Sequence, residues 1–262
     1  MSKPLKNPPV YFTLAQVRFN AVLNLTEYLP TIQNELRQAG YTAYSKLNTV
    51  ALQFNAQEGQ QPIPQPINYE QHFFANPDQT HSFVLSTDAL TFQSTNYGTY
   101  EKFSESFLEG LESVHKAAKL AFTERIGLRY LDHIAPTKDD ALEQYFATEV
   151  QGLGARLGGQ SMHSFVEMFN KINDINLVTR ILTQDGGLTF PPDLQTQNMK
   201  VQSRFSKSSG KNSIIDTDGS IQTRELFSIP SIQKHLNEIH KIISLAFRET
   251  VTPYALSAWD KE

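Results

Sequence analysis

Residues 111–126, LESVHKAAKLAFTERI, return at 236–251 as LNEIHKIISLAFRETV. Aligned without a gap at an offset of 125 (236 minus 111), the two segments share Leu, His, Lys, Leu, Ala, Phe and Glu, 7 of 16 positions. Val114/Ile239 and Ile126/Val251 exchange one apolar side chain for another of similar shape. A period this long exceeds the unit of a solenoid and points to a duplicated domain. Both copies carry helical stripes. Phe103, Phe107, Leu111, Val114, Ala118 and Ala121 recur at the 3.6-residue period in the first, and Ile232, Leu236, Ile239, Ile243 and Ala246 in the second.

What precedes each helix has the same order. In the first half, the Val-, Phe- and Tyr-rich segment 10–20 reads as a strand. A helix follows from Asn24 to Gly40, with Leu29, Ile32 and Leu36 at helical spacing. Short strands come next at 50–54, 83–85 and 90–95, with Thr87-Asp88 as a turn. Residues 58–77 hold four prolines and little periodicity, which predicts a long loop. In the second half, 125–134 reads as a strand and 140–150 as a helix. Segments 164–170 and 176–183 form a hairpin around Asn173-Asp174, and strands follow at 200–205 and 213–216. Asp218-Gly219 is a hairpin-turn signal, and Pro230 after Ser228 opens the last helix. The expected fold is therefore α+β, an internal duplication of a β-α-β(3–4)-α unit. Repeats 1–122 and 123–262 pack as one pseudo-two-fold body, with antiparallel sheets carrying long helices on one face. The bare topology is like that of the TATA-box-binding protein and of helix-grip domains, and topology alone assigns no function.

Pro8-Pro9-Val10, Val17-Arg18-Phe19, Gly127-Leu128-Arg129-Tyr130 and Phe247-Arg248-Glu249-Thr250-Val251-Thr252 together resemble a sporadically distributed, uncharacterised bacterial family of about this length. The resemblance runs the length of the chain. It implies a bacterial protein of the accessory genome, encoded beside defence or toxin genes, and it implies no reaction.

Composition narrows the chemistry. The chain has no cysteine, which excludes thiol nucleophiles, Cys-ligated zinc, iron–sulfur clusters and disulfides. No apolar run reaches the roughly 20 residues of a membrane span, and no apolar segment follows the basic N-terminus, so the expected location is the cytoplasm. The net charge is −4, which withholds the overall electrostatic footprint of a nucleic-acid binder. Asp216-Thr217-Asp218-Gly219 lacks the EF-hand spacing, Gly210-Lys211 lacks the phosphate-loop pattern, and neither G-x-S-x-G nor H-E-x-x-H occurs. No metal or cofactor is expected.

Three sets of residues stand out. His115 and His240 hold equivalent places in the two long helices, where a shared metal or anion competes with plain packing at the core margin. Period-2 alternation puts Arg125, Arg129 and His133 on one strand face, a set able to fork onto a phosphate or carboxylate unless neighbouring carboxylates already pair with it. Arg204 and Lys207, with Phe205 between them, offer a basic and aromatic patch suited to stacked bases. The leading expectation is a non-catalytic binding protein that engages a protein partner through its sheet face or through a paired clamp of loops 58–77 and 186–197. The alternatives are nucleic-acid binding or processing through the basic residues, and a small-ligand binder or enzyme with a pocket between helix and sheet. A sheet edge left free would also allow self-association.

Overall fold

The computed structural model describes residues 5–54, 64–137, 140–157, 162–194, 196, 199–207 and 210–260. In chain order the elements are β1 (Val10–Phe19), α1 (Leu25–Gln38), β2 (Ala43–Phe54), β3 (Pro64–Ala75), β4 (His81–Leu85), β5 (Ala89–Ser94), α2 (Tyr100–Ala118) and β6 (Phe122–Ile134). Two 3₁₀ turns follow, Leu142–Tyr145 and Thr148–Val150. Then come α3 (Gly154–Leu157), β7 (Ser164–Ile172), β8 (Ile175–Asp185), α4 (Ser203–Ser206), β9 (Lys211–Leu226), α5 (Ile229–Thr250) and α6 (Pro253–Trp259). The strands form one nine-stranded sheet in the order β2-β3-β4-β5-β1-β6-β9-β8-β7, with every adjacent pair antiparallel. The class is α+β. No helix among the described residues is long and apolar enough to cross a membrane.

Helices α1, α2 and α5 cover one face. Their apolar stripes meet the alternate residues of the sheet: Ile32, Leu36, Phe107, Leu111, Val114, Leu236 and Ile239 join Val17, Phe19, Phe92, Ile126 and Leu128 in the largest core cluster. Each long helix starts on a hydroxyl cap. The Thr99 hydroxyl accepts from the Lys102 amide, and that of Ser228 from Ser231, ahead of Pro230. Helix and sheet approach closely at two glycines. A Cβ on Gly110 of α2 would stand 2.3 Å from the Phe83 ring, and one on Gly219 of β9 would stand 2.6 Å from Ile239 Cγ2 of α5.

The opposite face is bare of long helices at its edges and covered at its centre. A bulge between Val10 and Phe12 turns Tyr11 onto the same side as Phe12. Both pack there with Leu131, Ile214 and Phe205, beneath Leu188, Phe190, Leu194, Met199 and Val201. Residues 186–194 and 199–207 thus form a cover. The Tyr11 hydroxyl donates to the Thr189 carbonyl at 2.8 Å, and that of Thr95 to the Lys200 carbonyl at 2.6 Å.

Several expectations are corrected. Residues 64–75 are strand β3, not loop, and 58–63 lie outside the described residues. The prolines are accommodated because β3 meets β4 only from His72 to Ala75, so one side of its earlier backbone has no ladder to break. The paired clamp does not form, since 64–75 is strand and 186–194 lies against the sheet. Residues 140–150 make two short 3₁₀ turns instead of a helix, and 203–206 make a helical turn inside the expected strand 200–205. Asp218-Gly219 is no turn. β9 runs unbroken through it, and the glycine makes room for Ile239.

Candidate functional site

On β6 the alternation holds. Ile126, Leu128 and Tyr130 face the helices, and Arg125, Arg129 and His133 face the cover side with Leu131. Arg129 is only 5 % exposed. Its Nε and Nη2 donate to the two carboxylate oxygens of Asp216 at 2.7 Å each, a bidentate fork. Nη1 donates to Asp193 Oδ2 at 2.5 Å, and Asp193 belongs to the cover. That guanidinium holds the Asp193 carboxyl below its ordinary range. Arg180 of β8 adds a contact to Asp216 Oδ2 at 3.3 Å and pairs with Glu167 of β7 at 2.6 Å. Arg125 donates to Gln16 at 3.1 Å and lies 3.9 Å from Asp218, whose carboxyl burial pushes upward.

Three arginines and four carboxylates thus answer one another across β6, β9, β8 and β7, with Asp193 tying the cover to the sheet. Four hydrogen bonds from Arg129 go to Asp216 and Asp193, so both of its two-pronged edges are already occupied by carboxylates. His133 is buried edge-on to Tyr11 and Phe205, its Nε2 has no hydrogen-bond partner among the described residues, and burial lowers its pKa by disfavouring the charged ring. Arg204 and Lys207 do not join this network. Arg204 lies over the Phe205 ring and donates to the Pro8 carbonyl at 2.9 Å, and Lys207 caps the short α4.

The two histidines are kept apart by different aromatic partners. His115 of α2 stacks on Phe227, just before α5, with ring centroids 4.3 Å apart. His240 of α5 stacks on Tyr100, the first residue of α2, at 3.8 Å and 1°. Each long helix therefore lays its histidine on a ring at the other's start. His240 Nδ1 also meets the Tyr130 hydroxyl at 3.2 Å, which in turn meets that of Tyr97 at 2.8 Å. Burial pushes His240 down to about 4. Asp132, two residues along the same strand face, is 6 % exposed, its side chain makes no hydrogen bond or ion pair among the described residues, and burial raises its carboxyl to about 7. Thr13 and Thr217 flank Tyr130 in register, and their hydroxyls are buried without partners. This is a polar seam under α2 and α5. No group of His, Asp and Glu able to hold a metal occurs among the described residues.

An unanticipated feature lies at the sheet's margin. β7 closes the strand order, and its Phe165 and Phe169 are 55 % and 68 % exposed. The sequence carried a signal for it. Phe165, Glu167, Phe169 and Lys171 alternate with Val166, Met168, Asn170 and Ile172, so both faces of this strand bear apolar groups. A shallow concavity lined by Leu5, Leu256, Ser257 and Asp260, and another on the outer side of α5 from Pro230 to Lys241, include neither histidine and no member of the Arg129 network. Comparison with family models, with curated proteins and with solved structures finds no match.

Proposed function

We propose that the chain is a non-catalytic interaction protein whose binding element is the β7 edge. The observation that carries this reading is the exposure of Phe165 and Phe169 on a strand with no partner on one side among the described residues. An edge strand offers main-chain donors and acceptors for affinity and alternate side chains for selectivity, the two requirements of strand addition. The neutralised Arg129 network agrees with this choice, since it leaves the sheet face no free cationic fork. The body that presents the edge is read as two β-α-β(n)-α units of the kind seen in the TATA-box-binding protein and helix-grip domains. Supporting this are the reciprocal stacks His115–Phe227 and His240–Tyr100, and the way the first strand of each half pairs with its last, β1 with β5 and β6 with β9. An accessory role in a bacterial defence or toxin system, in the cytoplasm, accords with the family resemblance.

The test is purification at low salt from a bacterial host, with the wild type beside Phe165→Ser/Phe169→Ser. A stoichiometric protein associate, another chain or a further copy, is expected with the wild type and absent from the doubly substituted protein, whose thermal unfolding is unchanged. Equal retention by both removes β7 as the site. A solitary wild-type chain removes the interaction reading.

A further inference from the structure

The β7 edge has a specific grammar. The β7–β8 hairpin turns through Asn173 and Asp174, with Ile172 facing Ile175. In a two-residue hairpin the closing pair is hydrogen-bonded, and alternation then directs the N–H and C=O of Ile172, Asn170, Met168 and Val166 toward β8. The groups of Phe165, Glu167, Phe169 and Lys171 are left pointing outward. Their side chains also share one face, opposite to that of the half-buried Val166 and Met168. Lys171 is exposed and makes no ion pair among the described residues. Glu167 is paired with Arg180 yet remains 48 % exposed.

We infer that the occupant of this edge is a second copy of the chain, its β7 running antiparallel with Phe169 on the two-fold axis. This rests on β7 being the binding element. The register follows from charge. With Phe169 facing Phe169 of the copy, Glu167 faces the copy's Lys171, and Lys171 faces the copy's Glu167. Three facing pairs then exchange two hydrogen bonds each, all from outward-pointing groups. A shift by two residues one way sets Glu167 against Phe169 and Phe165 against Lys171. A shift the other way sets Phe169 against Lys171, and a larger one sets Glu167 against Glu167. No other register opposes unlike charges, and cross-strand pairs of opposite charge and of aromatics are the ones that favour a register, while like charges disfavour it. The two sheets then continue through the two-fold as one, and each β7 margin is closed by its copy, with β2 left at the two outer ends.

Sedimentation of the full chain tests this. The wild type is expected at twice the mass of the 29.6 kDa chain in the micromolar range. Lys171→Glu, which breaks no ion pair of its own chain, and Glu167→Lys each place like charges opposite each other twice and weaken the dimer about tenfold or more. When the two variants are mixed in equal amounts, both facing pairs of the heterodimer again set a lysine against a glutamate, so it recovers wild-type strength. Circular dichroism reports whether each variant is folded. A second measurement needs no charge change: Phe169→Cys brings two thiols together across a hydrogen-bonded pair, about 5.5 Å between Cα atoms, within disulfide reach. It cross-links on mild oxidation, whereas Phe165→Cys does not. A wild-type monomer throughout the range overturns the inference, as does a dimer indifferent to both charge variants, or a mixture no stronger than its components. A monomer that still retains a different protein, and loses it with Phe165→Ser/Phe169→Ser, overturns the second copy while leaving β7 as the binding element.

Discussion

The Arg129 network and the β7 edge are neighbours on one sheet with opposite properties. At the network, charge is plentiful and every group is answered: Arg129 by Asp216 and Asp193, Arg180 by Glu167 and Asp216. At the edge, charge is sparse, two phenylalanines face solvent, and one side of the backbone has no strand partner among the described residues. The contrast separates conspicuous residues from available ones. A buried cation with two carboxylates specifies how layers fit together, whereas an ordinary-looking strand at the margin has contacts left to make.

The comparison can be broken most forcefully at Arg129. Arg129→Ala leaves the Asp216 carboxylate, 3 % exposed, with only the longer contact to Arg180, and unties the cover from the sheet. The expected loss is about 3–5 kcal/mol of unfolding free energy, read by urea titration. A variant that stays as stable as the wild type would return Arg129 to the list of binding residues.

Asp132 sharpens the contrast from the other side, as a buried carboxyl with no side-chain partner among the described residues. Its folded pKa is raised to about 7 from 3.8, so the stability carried by its protonated form is complete below pH 3.8 and gone above about pH 7. Asp132→Asn therefore stabilises above pH 7, by up to about 4 kcal/mol for a shift of that size, and has little effect below pH 4. His240 has the reverse slope: its lowered pKa contributes stability above 6.5 that is lost as pH falls toward about 4. In Asp132→Asn the acid limb of a melting-temperature profile should therefore steepen, and an unchanged profile would show Asp132 to be solvated.

Next in size is the point where the helix presses on β9. Gly219→Ala forces a Cβ to within 2.6 Å of Ile239 Cγ2 and costs about 1–3 kcal/mol. In an Ile239→Ala background the same change should be nearly neutral, and a double-mutant cycle without coupling would mean that the two do not touch. Smallest is the edge itself. Phe165→Ser/Phe169→Ser should shift stability by no more than about 0.5 kcal/mol in the monomer while abolishing association.

Much of the fold was legible because its signals are local. The stripes of α2 and α5, the Ser228-Pro230 start, the Asn173-Asp174 hairpin and the alternation on β6 all depend on neighbours a few residues away. What failed depends on distant ones. Asp218-Gly219 has the composition of a turn, and only Ile239 explains why glycine sits in mid-strand. Reading a turn there also hid Asp216 and Asp218 as one acidic strand face, the complement of Arg125 and Arg129 one strand away. The prolines of β3 are tolerated because β4 is short, and a linear sequence does not report the length of the strand next door. Asp193 lay in the expected loop 186–197, and its partner became visible only once that loop was folded onto the sheet.

The central pairing of β1 with β6 has a consequence for how the chain is made. On both flanks neighbouring strands follow one another in the chain, β2 to β5 on one side and the β7–β8 hairpin on the other, with β9 joined to β8 through the cover, so each finds its partner far sooner after synthesis than β1 finds β6. β1 emerges first of all. It waits for Ala89–Ser94 to occupy one side, and its other side stays open until Thr123–Asp132 has been synthesised. Through that interval the nascent first half exposes the edge of β1, Val10 to Phe19, until β6 covers it. A pause in synthesis across the stretch encoding α2 and β6 would prolong that exposure, the condition under which unpaired strand edges of separate chains associate.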